Sequence, residues 1–181
     1  PQECPFDMIV EAALLVKKQL DAIGLAGYPK TTGGRGLHIY VPLEPVYRMN
    51  VGNAGKLEAW QANGFQTVGT GASSFTEAVD LAGTTTPAPA ALYQSYAYAS
   101  GGVGNRIAWT LPVTDGAYVI RLHFAEPYSY ANATYRPVDI ALNGTVVEED
   151  FSIRGQAGAS FKAVVKEYSA TAAGGAGLRL D

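Results

Sequence analysis

Gly116-Ala117-Tyr118-Val119-Ile120-Arg121-Leu122-His123-Phe124-Ala125-Glu126 is the stretch on which the fold turns. Tyr118, Ile120, Leu122 and Phe124 fall on one side of an extended chain, and Val119, Arg121 and His123 on the other. That is the two-residue period of a strand with one face on a core. Downstream, Val138, Ile140 and Leu142 repeat the period, and Asn143-Gly144 follows as the strongest two-residue hairpin signal in the chain. Val146 and Val147 fall on the return strand. Phe161, Ala163 and Val165 define a further strand, and Leu178 and Leu180 another beyond a turn at 172–177. Segments 84–90 and 100–104 read as loops. From Tyr47 onward helical periodicity nearly disappears, and Gly, Thr, Ser and Ala separate short alternating runs, which predicts an antiparallel all-β sandwich.

Upstream of residue 46 the pattern differs. Ile9, Ala13, Val16, Leu20 and Ile23 recur at steps of four and three, one face of a helix within 5–23. Pro5 suits its first turn and Gly24 a left-handed stop, while Lys17, Lys18 and Asp21 fall on the opposite side. Tyr28-Pro29-Lys30, the run Thr31-Thr32-Gly33-Gly34-Arg35-Gly36 and Leu37-His38-Ile39-Tyr40-Val41-Pro42-Leu43 then read as strand, glycine-rich turn and strand. The division expected is therefore 1–46, a helix–hairpin segment, and 47–181, the sandwich. No internal repeat is present.

The chain has 181 residues, with 13 Lys+Arg against 16 Asp+Glu and a net charge of −3. Charged residues make up 16% and hydrophobic ones 48%, which excludes a disordered, charge-rich chain. Mild acidity argues against a non-specific nucleic-acid or polybasic membrane binder, since counterion release needs clustered Lys and Arg. Cys4 is the single cysteine and cannot form an internal disulfide. No apolar run approaches the roughly 20 residues that span a bilayer. The start at Pro1 reads as a fragment or processed product.

The glycine-rich turn presents backbone N–H groups, two hydroxyls and a guanidinium, with His38 just beyond, and such a turn can cradle phosphate. Turns prefer these residues in any case, and the run matches neither the dinucleotide fingerprint nor the Walker loop. The whole run from Pro29 to Leu43, with the helix before it, resembles the polymerase domain of bacterial DNA ligase D, a member of the archaeo-eukaryotic primase superfamily that works in end-joining repair. The resemblance covers about a quarter of the chain. It implies that Thr32, Arg35 and His38 contact a nucleotide's phosphates. The family's metal-binding D-x-D pair lies upstream of the matching helix and its third acidic ligand far downstream. Two-metal phosphoryl transfer needs those carboxylates, and Asp7 and Asp21 cannot replace them. The expectation is an incomplete, non-catalytic remnant with no metal site.

A second resemblance covers about three quarters of the chain. Tyr47-Arg48-Met49-Asn50-Val51-Gly52, Leu92-Tyr93-Gln94-Ser95-Tyr96-Ala97-Tyr98, the stretch from Gly116 to Glu126, and Val138-Asp139-Ile140-Ala141-Leu142-Asn143-Gly144 follow one another as successive motifs of the malectin and malectin-like family. The resemblance implies a jelly-roll type β-sandwich that binds carbohydrate, with glucose-containing oligosaccharide as the partner and no cofactor. It places Tyr98 and Tyr128 at aromatic ligand-contact positions. The family's neighbouring aromatic is Ser129 here, although Tyr130 could reach the same space. Phe75 lies roughly where a third aromatic belongs, and Asp181 is a weak stand-in for an acidic contact. The family's closing strand is expected to be missing, leaving an open edge.

The tyrosines support this chemistry on their own. Sugars stack C–H faces on aromatic rings while hydroxyls pair with a few polar groups, and a phenol does both. Tyr93, Tyr96 and Tyr98, and Tyr128, Tyr130 and Tyr135, cluster near predicted strand ends. Tyrosine is also a good strand former that covers a sandwich face. The candidate platform is Tyr98 and Tyr128, with Tyr93, Tyr96 and Tyr130. The alternatives are a nucleotide or 5′-phosphorylated DNA end on Thr32, Arg35 and His38, or a chimera without joint function. The two resemblances imply opposite locations, exported for one and cytoplasmic for the other. His38 and His123 read as packed or surface residues, and Glu148-Glu149-Asp150 as a solvated turn.

Overall fold

The computed structural model describes residues 5–22, 27–31, 37–40, 47–52 and 55–181. The chain divides into two compact units, Pro1–Val46 and Tyr47–Asp181.

In the first unit, helix α1 spans Phe6–Ala22, with Asp7 in its first turn complementing the helix dipole. Ile9, Ala13 and Leu20 are its half-buried positions, as the periodicity requires. Val16, expected on the same face, is 43% exposed, and Ile23 lies outside the described residues. The cover is short: strands β1 (Tyr28–Thr31) and β2 (Leu37–Tyr40) pair antiparallel over four residues each. Four residues reach only about 13 Å, less than the length of the helical stripe. A Cβ on Gly27 would meet Leu20 Cδ1 at 2.8 Å and Ile39 Cγ2 at 3.2 Å, so helix and hairpin close on that glycine. No residue of α1 is buried.

The second unit contains β3 (Met49–Asn50), β4 (Gln61–Ala62), β5 (Gln66–Val68), β6 (Gly71–Ser74), helix α2 (Ala90–Tyr93), β7 (Ser95–Tyr98) and β8 (Ala108–Leu111). It continues with β9 (Gly116–Ala125), β10 (Val138–Leu142), β11 (Thr145–Phe151), helix α3 (Ile153–Ala157), β12 (Ala163–Ala172) and β13 (Leu178–Leu180). A five-stranded sheet has the order β11-β10-β13-β8-β5, and β12 pairs antiparallel with β9 over ten residues. Two smaller pairs, β3 with β4 and β6 with β7, complete the unit. The last strand, β13, is an interior strand bonded to both β10 and β8.

The alternation read from the sequence sets the layers. Leu122 and Phe124 of β9 pack with Ile140, Phe151, Ala157 and Val164. Tyr118 and Ile120 pack with Val113, Ala172 and Leu178. Asn143 and Gly144 both take left-handed backbone, φ 50° and 81°, and turn β10 into β11. A third cluster, Ala88, Leu92, Tyr93, Ala125 and Ala163, lies at the far end of β9 and β12, with the partly buried Leu57, Trp60, Phe75, Val79 and Leu81 packed against it.

Two expectations fail locally. Phe161 precedes β12 in left-handed conformation, φ 55°, because its N–H bonds Glu126 O at 2.9 Å and its C=O accepts from Asp80 N at 2.8 Å. Glu148-Glu149-Asp150 is not a turn but part of β11. Glu148 accepts from Lys166 Nζ at 2.8 Å and from the Tyr168 hydroxyl, which ties β11 to β12. Desolvation raises the Glu148 pKa, but these bonds and the ammonium charge outweigh it and the net shift is downward. His123, read as packed or exposed, is packed: Trp60 and Tyr93 cover that end of β9.

Candidate functional site

Glu126 follows β9 directly and begins the loop that carries the tyrosines. It is 1% exposed, and such a carboxylate needs partners. Its Oε1 accepts from the Tyr128 backbone N at 3.1 Å and from Arg136 Nη2 at 2.7 Å. The guanidinium of Arg136 then lies 4.7 Å from the Tyr128 ring centroid and 5.0 Å from that of Tyr135. Ser160 donates to Tyr128 O at 2.7 Å. One buried carboxylate thus fixes the start of the loop, its return and the cation between two rings.

On this base the rings form a continuous cluster. Tyr128 and Tyr130 stack with centroids 5.2 Å apart and planes 26° off parallel. Tyr135 meets Tyr130 edge-on at 5.7 Å, and the two hydroxyls are 3.4 Å apart. Across the gap to β7, the hydroxyls of Tyr96 and Tyr128 are 3.3 Å apart, and Tyr96 lies 6.5 Å from Tyr98. The bond to Tyr96 raises the Tyr128 pKa, and the bond to Tyr135 raises that of Tyr130, so both phenols stay protonated. Tyr130 is 70% exposed and Tyr98 40%, while Tyr96 and Tyr128 are half-buried behind them.

Of the five expected platform residues, four come together: Tyr96, Tyr98, Tyr128 and Tyr130. Tyr93 does not. It is 4% exposed in the core, where its hydroxyl accepts from Ala88 N at 3.2 Å and contacts His123 Nδ1 at 2.9 Å. Period-two alternation starts only at β7, after α2, so Tyr93 does not share the face of Tyr96 or Tyr98. Phe75, half-buried, lies behind Tyr96 with centroids 6.5 Å apart. Asp181 is engaged by Arg179 Nε at 2.7 Å and Arg106 Nη1 at 3.8 Å. Arg136 and the buried role of Glu126 escaped the sequence reading, because nothing local says which of the chain's cations meets which carboxylate. Thr32 and Arg35 lie outside the described residues. His38 is exposed, opposite Lys30 in register. No group of three or more His, Cys, Asp or Glu able to hold a metal occurs among the described residues.

The Malectin domain family matches residues 47–176. The chain belongs to the malectin family. Over residues 1–62 it also matches the family described as LigD, primase-polymerase domain. Within that part it is 42% identical over 45 residues to the bifunctional non-homologous end joining protein LigD of Bacillus subtilis (strain 168), covering 25% of this chain and 7% of that protein. Among solved structures, the ANX2 ectodomain from Arabidopsis thaliana superposes with TM-score 0.62 at 22% identity, over 74% of this chain and 42% of the other. The plant receptor-like kinase FER does so with TM-score 0.59 at 20% identity, over 75% of this chain and 42% of its own length. This malectin-family chain therefore spans well under half of the proteins it matches, and its fold is that of carbohydrate-binding or extracellular domains. Among the described residues, no helix is long and apolar enough to cross a membrane.

Proposed function

We propose that the malectin-type unit is a non-catalytic module that binds a glucose-type oligosaccharide on its tyrosine cluster. The observation that carries this reading is the pair of exposed phenols, Tyr98 and Tyr130, backed by half-buried Tyr96 and Tyr128 in one bonded cluster. A pyranose ring lies on such a surface through its C–H groups, and the phenol hydroxyls supply the directional bonds. Tyr96 and Tyr128 act as support and hydrogen-bonding groups; Tyr98 and Tyr130 offer the faces. Isothermal titration with maltotetraose and cellotetraose tests this. Binding by the wild type that is lost in Tyr98→Ala combined with Tyr128→Ala is the expected result; no binding of either sugar, or binding unchanged by the pair, removes the reading.

A second reading is favoured by the 42% identity to LigD in the first unit. In it, Thr32, Arg35 and His38 hold a nucleotide or 5′-phosphorylated DNA end without polymerising. Affinity would fall with salt and in Arg35→Ala. An equal titration signal in that variant excludes the turn. A chimera without joint function, divided at 46/47, predicts that each ligand binds, or fails to bind, irrespective of the other.

A further inference from the structure

Gly71 and Tyr98 are register partners in the antiparallel pair β6–β7, so any side chain at 71 would share a sheet face with the Tyr98 ring. A Cβ built on Gly71 would stand 2.9 Å from Tyr98 Oη, 3.0 Å from Cζ and 3.2 Å from Cε1. The phenol therefore lies across the α-carbon of Gly71, in the space that another residue would fill. Both flanks of the ring-bearing residue are tied down: Thr70 N donates to Tyr98 O at 3.0 Å, and Ser100 N donates to Thr70 Oγ1 at 3.0 Å. Gly71 is not among the residues with positive φ, so no special backbone demands glycine there. A glycine inside a strand forfeits packing and marks a close approach, and here what approaches is the ring. Tyr98 nevertheless remains 40% exposed.

We propose that Gly71 is a positioning residue of the saccharide platform: by lacking a side chain it lets the Tyr98 ring lie down against the sheet with its outer face open. The inference rests on the carbohydrate reading above. The far end of a partly exposed tyrosine moves easily, so Gly71→Ala lifts the ring without dismantling the strand pair. Affinity for whichever of maltotetraose and cellotetraose the wild type binds falls at least fivefold in Gly71→Ala, with the melting temperature unchanged within about two degrees. In a Tyr98→Ala background the same substitution adds nothing, because the ring it displaces is gone. A merely structural role would instead lower the melting temperature and act equally in both backgrounds. In the wild type, the Gly71 Hα resonances are shifted upfield by the ring above them and return to ordinary values in Tyr98→Ala. Wild-type binding with equal affinity in Gly71→Ala overturns the inference alone, and absence of the upfield shift overturns it even should Gly71→Ala fail to fold. Absence of wild-type binding to either sugar defeats the carbohydrate reading and this role with it.

Discussion

The two units of this chain invert the usual relation between sequence likeness and packing. The first carries 42% identity over 45 residues to a known protein, yet its helix buries no residue, and Phe6, Met8, Leu14 and Leu15 are each more than half exposed. The second resembles its structural neighbours at about 20% identity, yet closes three clusters of buried side chains along β9 and β12. Identity records descent, whereas stability comes from apolar area taken out of water. The same substitution separates the two. Leu178→Ala, at a residue 2% exposed, is expected to cost about 3 kcal/mol of unfolding free energy. Leu14→Ala, at a residue 61% exposed, stays within about 0.5 kcal/mol. Urea unfolding of the full chain measures both, and equal costs would break the contrast.

Within the malectin-type unit, the next effect concerns charge. Arg136→Ala leaves the carboxylate of Glu126 buried without its cation and takes away the group between Tyr128 and Tyr135. Removing one partner of a buried pair costs about 3 kcal/mol or more; with the Arg136 side chain 41% exposed, water can replace part of it, and about 2 kcal/mol is expected by urea unfolding. A cost under 0.5 kcal/mol would mean that the rings hold the loop without the ion pair.

His123 gives a smaller, pH-dependent effect. Burial, and secondarily the charge of Arg121, lower its pKa from 6.5 to about 4. The native state thus favours the neutral ring, which suits Trp60 edge-on at 5.3 Å and the Tyr93 hydroxyl on Nδ1. Above pH 6.5 neither state binds the proton and the contribution is complete. As pH falls from 6.5 towards 4, the unfolded chain takes up a proton that the native ring refuses, and stability is lost. The full gap corresponds to about 3 kcal/mol, but the ring is only half-buried, so about 1 to 2 kcal/mol is expected. Unfolding midpoints at pH 7 and pH 4 for the wild type and His123→Gln give the comparison; equal pH slopes in the two would assign the acid sensitivity elsewhere.

What the sequence disclosed follows from the range of the interactions involved. Alternation in β9 and β10 and the Asn143-Gly144 turn are local, and they place strands and hairpin correctly. The helix stripe of Ile9, Ala13 and Leu20 is equally local. The burial of Tyr93 depends on α2 and on the cover supplied by Trp60, some thirty residues away in the chain, and no periodicity within Leu92-Tyr93-Gln94 announces it. The Glu126–Arg136 pair, the Glu148 link to Lys166 and Tyr168, and the seat of Tyr98 on Gly71 are likewise tertiary. Composition can say that tyrosines are plentiful; only the fold sorts a core phenol from a rim phenol.

That sorting leads to the smallest stability change and the sharpest use of the contrast. Tyr93 and Tyr130 are the same residue type with opposite surroundings, 4% and 70% exposed. Tyr130→Ala removes a ring whose outer face meets solvent, and whose contacts are the stacked Tyr128 and the edge of Tyr135. Its cost in unfolding free energy should stay within about 0.5 kcal/mol, the range of an exposed substitution. Its cost in glucan affinity should be roughly tenfold, because a lost stacking face is felt only when a sugar is present. Tyr93→Ala reverses the pattern, costing about 3 kcal/mol or more of stability through the cavity it leaves in the core. Paired titration and unfolding curves on the two variants read both quantities. Should Tyr130→Ala destabilise the chain as much as Tyr93→Ala while leaving affinity intact, the exposed ring would be part of the scaffold and the platform would have to lie on Tyr98 alone.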